Sequence, residues 1–585
     1  MSIIEAGYPG PSLLVLPLDV LIVVQSFMKP LDIMVLQSTC KALRDPTLRR
    51  TVWRDALRRV IEENDVFAPT FPSLQTMSIS ELSYAALRPQ VFLQRVRRCA
   101  SSCPEGTIGY LEPLRRHEVQ LNMRDIDEDT YADQYGPASL VSGGRYLVVM
   151  AAYFVYIYDL RQIRPHFDPI LAISVEDLGP LPGSLNRKWY LELHIARGGD
   201  LFLFISFHTE TEPEEKCWTS VMVYKIQGLP NAPRGEVIAR LHFPFKGMLD
   251  LHSVEGDRVA FSVAFSVGFD KSPVGVWDLA RNEMASWIYP FVHKCIIANN
   301  GLCVVTGKWG LFLYDIPPLE PIATDQLNES VLMPNYIFPP PENMRLHGAA
   351  IYQRSEDAPL FHVRYGEADL VADIVMRYRV VPPPSNSAGD PAMLVMESIR
   401  DFISEGPGRR SALLHTLRRC DDSIVDARRE ESCYYSASKD RTRATIHVEP
   451  WNGEGEQETM LVDLVDRSDP LWTRESNCDL GPEVCTFCPI SGRLVQMAKM
   501  LPSELLAHVQ SFLTPFDIFS LHLVRRLVSG RDLSTLKYRT DEQDHQERAS
   551  CLSRAGAGSR KPEFIPGQRL RYAVLRCWNA PCLRR

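Results

Sequence analysis

Residues 16–27 read Leu16-Pro17-Leu18-Asp19-Val20-Leu21-Ile22-Val23-Val24-Gln25-Ser26-Phe27. After Met28 the chain continues Lys29-Pro30-Leu31-Asp32-Ile33-Met34-Val35-Leu36, then Thr39-Cys40-Lys41-Ala42-Leu43-Arg44, with Trp53 further on. Pro17 and Asp19 suit a helix start: proline lacks the donor that a first turn leaves unpaired, and a carboxylate favours the positive helix end. Lys29-Pro30 ends that helix, and Pro30 with Asp32 opens the next in the same way. The first helix is apolar nearly all round, through Leu18, Val20, Leu21, Ile22, Val23, Val24, Phe27 and Met28. A surface helix normally carries a single apolar stripe. A helical unit of roughly 40–50 residues cannot bury so much apolar surface by itself. Its second face must be covered either by a protein partner or by the rest of the chain.

The order Leu-Pro, an apolar run, Met-x-Pro-x-Asp, a leucine, Thr-Cys-Lys-x-Leu-Arg and a later Trp resembles the F-box family, from about Leu16 to Leu57. The resemblance implies an all-α box that docks on the Skp-type adaptor of SCF ubiquitin ligases and, through it, on a cullin. Carried over by position, it implies that Leu16, Pro17, Val20, Leu21, Val24, Phe27, Pro30, Leu31, Ile33, Leu36, Cys40, Leu43 and Trp53 form the box core and adaptor face. The domain behind the box would then select a protein substrate. The other reading of the same residues is an ordinary helical hairpin packed on its own chain.

Outward from the box, helical spacing continues to about residue 120, as in Ile79, Leu82 and Ala86, then Leu93 and Val96. The chain has 585 residues, room for more than one domain. Its apolar fraction of 45% and charged fraction of 23% are those of globular proteins. A net charge of −8 over this length gives no electrostatic footprint for nucleic acid or acidic membranes. The 14 cysteines are scattered, several beside apolar residues (Cys40, Cys295, Cys303 and Cys433), which suits reduced thiols in a cytoplasmic or nuclear protein. Met1–Pro17 carries Glu5 and no basic n-region, which argues against a secretory signal. The longest apolar stretch, Tyr146–Tyr158, is too short for a membrane-spanning helix.

From about residue 138 to 497 the texture changes to short strands set off by turn residues. Gly143-Gly144 leads into Tyr146–Tyr158, Gly198-Gly199-Asp200 into Leu201–Phe207, Gly256-Asp257 into Val259–Val263, and Asn299-Asn300-Gly301 into Leu302–Thr306. Such runs point to an all-β sandwich, barrel or propeller. The endings Tyr158-Asp159-Leu160, Trp277-Asp278-Leu279 and Tyr314-Asp315-Ile316 look like final strands of WD-type blades, and Ser438–Thr442 with Ala444–Val448 resembles another blade. A blade cannot bury both faces alone, so such units stack around an axis. The reading is a β-propeller-like domain with degenerate blades, long insertions and a Pro-rich insertion or linker at Pro382–Pro391.

Leu501–Ile518 repeats Leu16–Ile33 in register, with Leu-Pro, Val-Gln-Ser-Phe, Pro and Asp-Ile identical. It departs from the box pattern after Leu521, and His508 interrupts its apolar face. It follows directly on a closing strand within Gly492–Met500, so two readings stay open: a genuine tandem arrangement, or a chain joining parts of two similar proteins. From Ser529 onward the sequence is rich in Arg, Ser and Gly and calls for no fold.

Other patterns fall short. Asp125–Asp129 lacks the glycine and distal glutamate of a calcium loop. Gly301–Lys308 has one residue too many for a phosphate-binding loop, with Trp309 where Ser or Thr is needed, so a strand and hairpin explain it better. Cys485, Cys488 and Cys478 offer three thiols without a spaced fourth ligand, so a buried strand pair is preferred to zinc. Ser436-x-x-Lys439 has no companion motif. Arg95–Arg98 and Arg409-Arg410 are short runs of solvated charge.

The expected fold class is therefore α+β multidomain. A small all-α F-box at 13–60 and a helical linker at 61–137 precede the propeller-like domain at 138–497. A partial box-like repeat at 498–530 and a tail without fold at 531–585 complete the chain. The expected function is non-enzymatic substrate recognition in an SCF-type ligase, without cofactor, metal, nucleic-acid or membrane partner. The alternative is a protein-interaction scaffold outside any ligase, and no acid/base constellation favours an enzyme.

Overall fold

The computed structural model describes residues 15–102 apart from position 65, then the strands and closer turns between 109 and 498, and a last segment at 571–577. The chain opens with five helices: α1 Leu18–Ser26, α2 Pro30–Thr39, α3 Lys41–Thr47, α4 Arg50–Glu63 and α5 Ile79–Ser101. Pro17 sits at the N-cap of α1 and its carbonyl accepts the first helical bond from Leu21 N. Pro30 is the first residue of α2. Ahead of α5, Ser78 and Glu81 bond reciprocally: Ser78 N donates to Glu81 Oε2 at 2.7 Å, and Glu81 N donates to Ser78 Oγ at 3.3 Å. This capping box satisfies two donors that a helix start leaves orphaned. The Ser78 N–H is also the main reason the Glu81 carboxyl lies below its ordinary range.

The helices share one core. Ile33 of α2 and Val52, Trp53, Ala56 and Leu57 of α4 pack with Met77 and with Leu82, Ala85, Ala86 and Leu87 of α5. The helices before residue 64 therefore bury one apolar side against α5. Trp53 is buried and its indole N–H donates to Thr47 O at 2.8 Å, which ties α3 to α4.

Seven sheets follow among the described residues. The first is Tyr135–Leu140, Tyr146–Ala151, Phe154–Asp159 and Leu171–Ser174. The second is Arg187–Ile195, Leu201–Thr209, Thr219–Gln227 and Arg234–Phe243. The third is Met248–Glu255, Arg258–Ala264, Ser272–Asp278 and Glu283–Tyr289, edged by Glu320–Pro321. The fourth is Val292–Asn299, Leu302–Gly307, Gly310–Asp315 and Tyr336–Phe338. The fifth is Met344–Tyr352, Leu360–Glu367, Ala372–Val381 and Met393–Ile403. The sixth is Ser423–Asp426, Glu431–Ala437, Ala444–Pro450 and Met460–Leu464, joined in parallel by Gly109–Leu111. The seventh is Val484–Cys488, Arg493–Ala498, Arg571–Cys577 and Arg115–Leu121, with His166–Phe167 parallel at its edge.

Neighbouring sheets pack face to face in chain order. In Leu201–Thr209, Leu201, Leu203 and Ile205 face Tyr146, Val148 and Ile157 of the first sheet. Phe202 and Phe204 face Val259, Phe261 and Trp277 of the third. Both faces of the strand are buried, which is why it reads as a continuous apolar run and not as an alternation. Val274, Val276, Trp287 and Tyr289 then meet Cys295, Cys303, Val305 and Tyr314 of the fourth sheet. Cys295 Sγ lies 3.1 Å from Cys303 Sγ, and burial pushes the Cys295 thiol well up. First strands touch in succession, from Val484–Cys488 to Tyr135–Leu140, Arg187–Ile195, Met248–Glu255, Val292–Asn299, Met344–Tyr352 and Ser423–Asp426.

The three aromatic-Asp endings recur as one local structure. Leu160 N donates to Arg145 O, Leu279 N to Asp257 O and Ile316 N to Gly301 O, each at 2.8 Å. They end the third strand of their sheets and not the final one, because a fourth strand still covers each edge. The apolar run Tyr146–Tyr158 is two paired strands, Tyr146 opposite Asp159 and Ala151 opposite Phe154. Gly301–Lys308 is accounted for as a strand and hairpin, with Leu302–Gly307 paired to Gly310–Asp315.

Two boundaries need correction. Helix stops at Ser101 and not near 137: Gly109–Leu111 and Arg115–Leu121 are strands that pair with segments from the far end of the chain. Their short alternating sequence takes the form that an available sheet edge offers. The tail called for no fold, yet Arg571–Cys577 is a strand between Arg493–Ala498 and Arg115–Leu121, with Val574 opposite Glu118 and Gln496. The chain that leaves the seventh sheet at Ala498 thus returns to it at Arg571. The box-like segment Leu501–Ile518, the acidic run Asp125–Asp129, Pro382–Pro391 and Lys439 lie outside the described residues. Deleting residues 571–585 is expected to lower the Tm by about 5 °C or more in differential scanning calorimetry, because both neighbouring strands lose their partner. An unchanged Tm would remove this strand from the folded unit.

Candidate functional site

The helices leave one face open. Leu18, Val20, Val23 and Val24 of α1 are exposed, as are Phe27 just beyond it, Val35 of α2 and Leu48 just beyond α3. Phe27 is 75% exposed and Val23 54%, in a region whose own core is already filled by the α4–α5 cluster. Scattered apolar residues on a surface need no explanation, but a contiguous patch marks an interaction surface.

The residues singled out from the sequence divide between this face and the core. Leu21, Pro30, Ile33, Leu43 and Trp53 are buried. Leu16, Leu31 and Leu36 are half-buried, and Pro17, Val20, Val24, Phe27 and Cys40 are exposed. Leu21 and Phe27 therefore do different work: Leu21 points into the helix cluster and Phe27 into solvent. The sequence reading passed over Gln25, Arg50, Arg59 and Gln90. Gln25 is buried and its Nε2 donates to Leu43 O at 3.0 Å, tying α1 to α3. Arg50 Nε donates to Met77 O at 3.1 Å and its Nη2 donates to Leu74 O, which holds the segment before α5 against α4. Arg59 Nη1 and Nη2 donate to Phe27 O and Met28 O at 2.6 Å each. Gln90 Oε1 accepts from Leu31 N at 3.0 Å. No local signal marks these four, because each bonds an element remote in sequence.

A joint connects the helices to the first sheet. Phe67 N donates to Ser142 O at 3.2 Å, and the Phe67 ring stands edge-on to Tyr146, centroids 5.9 Å apart. The short 3-10 turn Ala68–Thr70 lays Pro69 O against Arg145 Nη1 at 2.8 Å and Tyr146 Oη at 3.1 Å, both donors. Gly143, at φ +98°, lies so close to Thr70 that an added Cβ would come within 2.6 Å of Thr70 Cγ2, so only glycine fits. Burial pushes the Tyr146 phenol up to about 12, which keeps it a donor. Arg145 is itself paired with Asp159: Nε reaches Oδ1 at 3.0 Å and Nη2 reaches Oδ2 at 2.6 Å, with both side chains buried. Burial pushes the Asp159 carboxyl up, but hydrogen bonds from Arg145 and from Arg161 N outweigh it and hold the group below its ordinary range.

Among the described residues no cluster of three or more His, Cys, Asp or Glu could hold a metal ion, and no helix is long and apolar enough to cross a membrane. No family model and no curated protein matches the chain. Solved structures do align with it at low similarity. The major allergen Mala s 1 of Malassezia sympodialis has 9% identity and a TM-score of 0.27, over 55% of this chain and 90% of that one. The Nup133 β-propeller domain of Vanderwaltozyma polyspora has 10% identity and a TM-score of 0.25, over 62% and 91%. An α-L-arabinanase of Penicillium chrysogenum complexed with arabinobiose has 11% identity and a TM-score of 0.26, over 66% and 93%. TM-scores this low carry no argument about fold or function.

Proposed function

We propose that this chain is the substrate-recognition subunit of an SCF-type ubiquitin ligase in the cytoplasm or nucleus. Its N-terminal helices dock on the Skp-type adaptor, and through it on a cullin, while the β region holds a protein substrate. The observation that carries the reading is the exposed apolar surface at α1: Val20, Val24 and Phe27, which belong to the set the box resemblance assigns to box core and adaptor face, are exposed. The buried set Leu21, Ile33, Leu43 and Trp53 supplies the core of the same unit. Burying a Val, Leu or Phe side chain contributes up to about 1.5–3 kcal/mol, so these three residues would be anchors of a dock that has further contacts around them. We further propose that the seven sheets are the blades of a propeller whose loops present the substrate surface; the succession of touching first strands supports this.

The mechanism is proximity. The joint at Pro69, Arg145 and Tyr146 couples the docking helices to the β region, so a substrate held by the sheets stays within reach of a separate conjugating enzyme. Effective concentration then supplies the rate enhancement, and no residue of this chain takes part in bond making. Coexpression of the full chain with a Skp-type adaptor and a cullin tests the reading. Copurification of all three supports it. Copurification of the adaptor without the cullin leaves a scaffold outside the ligase, and no complex with a folded chain overturns adaptor docking altogether.

A further inference from the structure

The three short helices before α4 have no side-chain N-caps. Pro17 before α1, Lys29 before α2 and Cys40 before α3 make no side-chain cap bond. A helix end without partners leaves donors or carbonyls unsatisfied, and these helices are too short to persist on propensity alone. Two further sets of bonds at these helix ends come from helices that follow. At the C-terminal end of α1, the Arg59 guanidinium spans two successive carbonyls, Phe27 O and Met28 O, and brings a positive charge to the negative helix end. At the N-terminal end of α2, Gln90 of α5 offers its Oε1 to Leu31 N, one of the orphan donors. Gln90 is 4% exposed and follows Pro89, which lacks the N–H that would bond the carbonyl four residues back.

These three bonds bracket the Met28-Lys29-Pro30 link, the corner between α1 and α2. Phe27, 75% exposed, is carried on a carbonyl that Arg59 holds. Neither Arg59 nor Gln90 forms part of the exposed apolar row. We infer that Arg59 and Gln90 are positioning residues of the docking face, and that the docking module therefore runs through α5. This rests on the adaptor-docking reading above. Without them the apolar residues of α1 are still present, but α1 samples orientations in which Val24 and Phe27 cannot reach the partner together.

The test measures dissociation of the adaptor from the immobilised full chain by biolayer interferometry. Four variants are compared with the wild type: Arg59→Ala, Arg59→Lys, Gln90→Leu and, as a control, Val52→Ala. Val52 is fully buried in the same helix cluster but bonds neither helix end, so its truncation lowers stability without touching the corner. Arg59→Ala and Gln90→Leu are expected to release the adaptor about five- to tenfold faster. Arg59→Lys, which keeps the charge and one donor, recovers part of that loss, while Val52→Ala binds as the wild type despite a lowered Tm. If the Arg59 and Gln90 variants release the adaptor no faster than Val52→Ala, positioning is overturned and the docking reading stands. If the wild type itself does not bind, both fall together.

Discussion

The double variant Val24→Asp, Phe27→Asp is expected to lose the adaptor by 100-fold or more while keeping its fold. Both side chains are exposed, 36% and 75%, so neither contributes much to the core. Surface substitutions of this kind change stability by about 0.5 kcal/mol at most. On the docked face, however, two carboxylates would have to be desolvated against an apolar partner, and loss of one buried aromatic anchor alone commonly costs about 2–4 kcal/mol. Isothermal titration calorimetry against the adaptor, paired with circular dichroism of the free chain, reads both quantities. Retained affinity would show that the open face is not the dock. Leu21→Asp is the wrong probe, because Leu21 is 6% exposed and its replacement would put a charge into the helix core.

The second large effect is expected at the joint. Arg145→Met should destabilise the chain by about 3–5 kcal/mol, because it leaves the Asp159 carboxylate buried without its partner. Arg145→Met combined with Asp159→Leu should recover part of that loss, since removing both charges together leaves no charge buried and unpaired, although Arg161 N loses its acceptor and Pro69 O one of its donors. The pH dependence has a definite sign. The Asp159 carboxyl is held below its ordinary range in the folded protein, so its contribution is fully present above the unfolded carboxylate pKa. It is lost as pH falls through the lowered folded value. The gap in urea midpoint between wild type and Arg145→Met should therefore narrow toward acid pH, where the stranded carboxyl of the variant takes up a proton. A gap that is small at neutral pH, or that widens in acid, would contradict the role assigned to the pair. Because Arg145 Nη1 also holds Pro69 O, the variant should loosen the helices from the first sheet before the sheets themselves open.

The breaks and periods of this chain were legible from local chemistry. Pro17 starts α1, Lys29-Pro30 separates α1 from α2, and Gly143-Gly144 and Gly256-Asp257 turn the chain between paired strands. Proline and glycine act on their own and adjacent dihedrals, so their effect can be read without knowing the rest of the fold. Trp53 entered only through the box resemblance, which did not separate core from adaptor face, and the structure buries it. Misreadings arose where one sequence pattern serves two structures. The aromatic-Asp endings look terminal, and only the fourth strand beside them shows otherwise.

By itself, then, the sequence determined the breaks at Pro17, Lys29-Pro30 and the glycine turns, the change from helical to strand texture, and that α1 carries more apolar surface than its own unit can cover. Tertiary structure alone decided which of those apolar residues stay open: Val20, Leu21 and Val24 are alike in chemistry, and only the way α1 lies on α3 and α4 separates buried Leu21 from its exposed neighbours. It alone brought Arg571–Cys577 against Arg115–Leu121, across most of the chain. It alone set Arg59 against the end of α1 and Gln90 against the start of α2. The physical reason is common to all three. A dihedral preference is a property of a residue and its neighbours, whereas burial, strand partnership and the satisfaction of a helix end are free energies of two surfaces meeting, and no window on one of them contains the other.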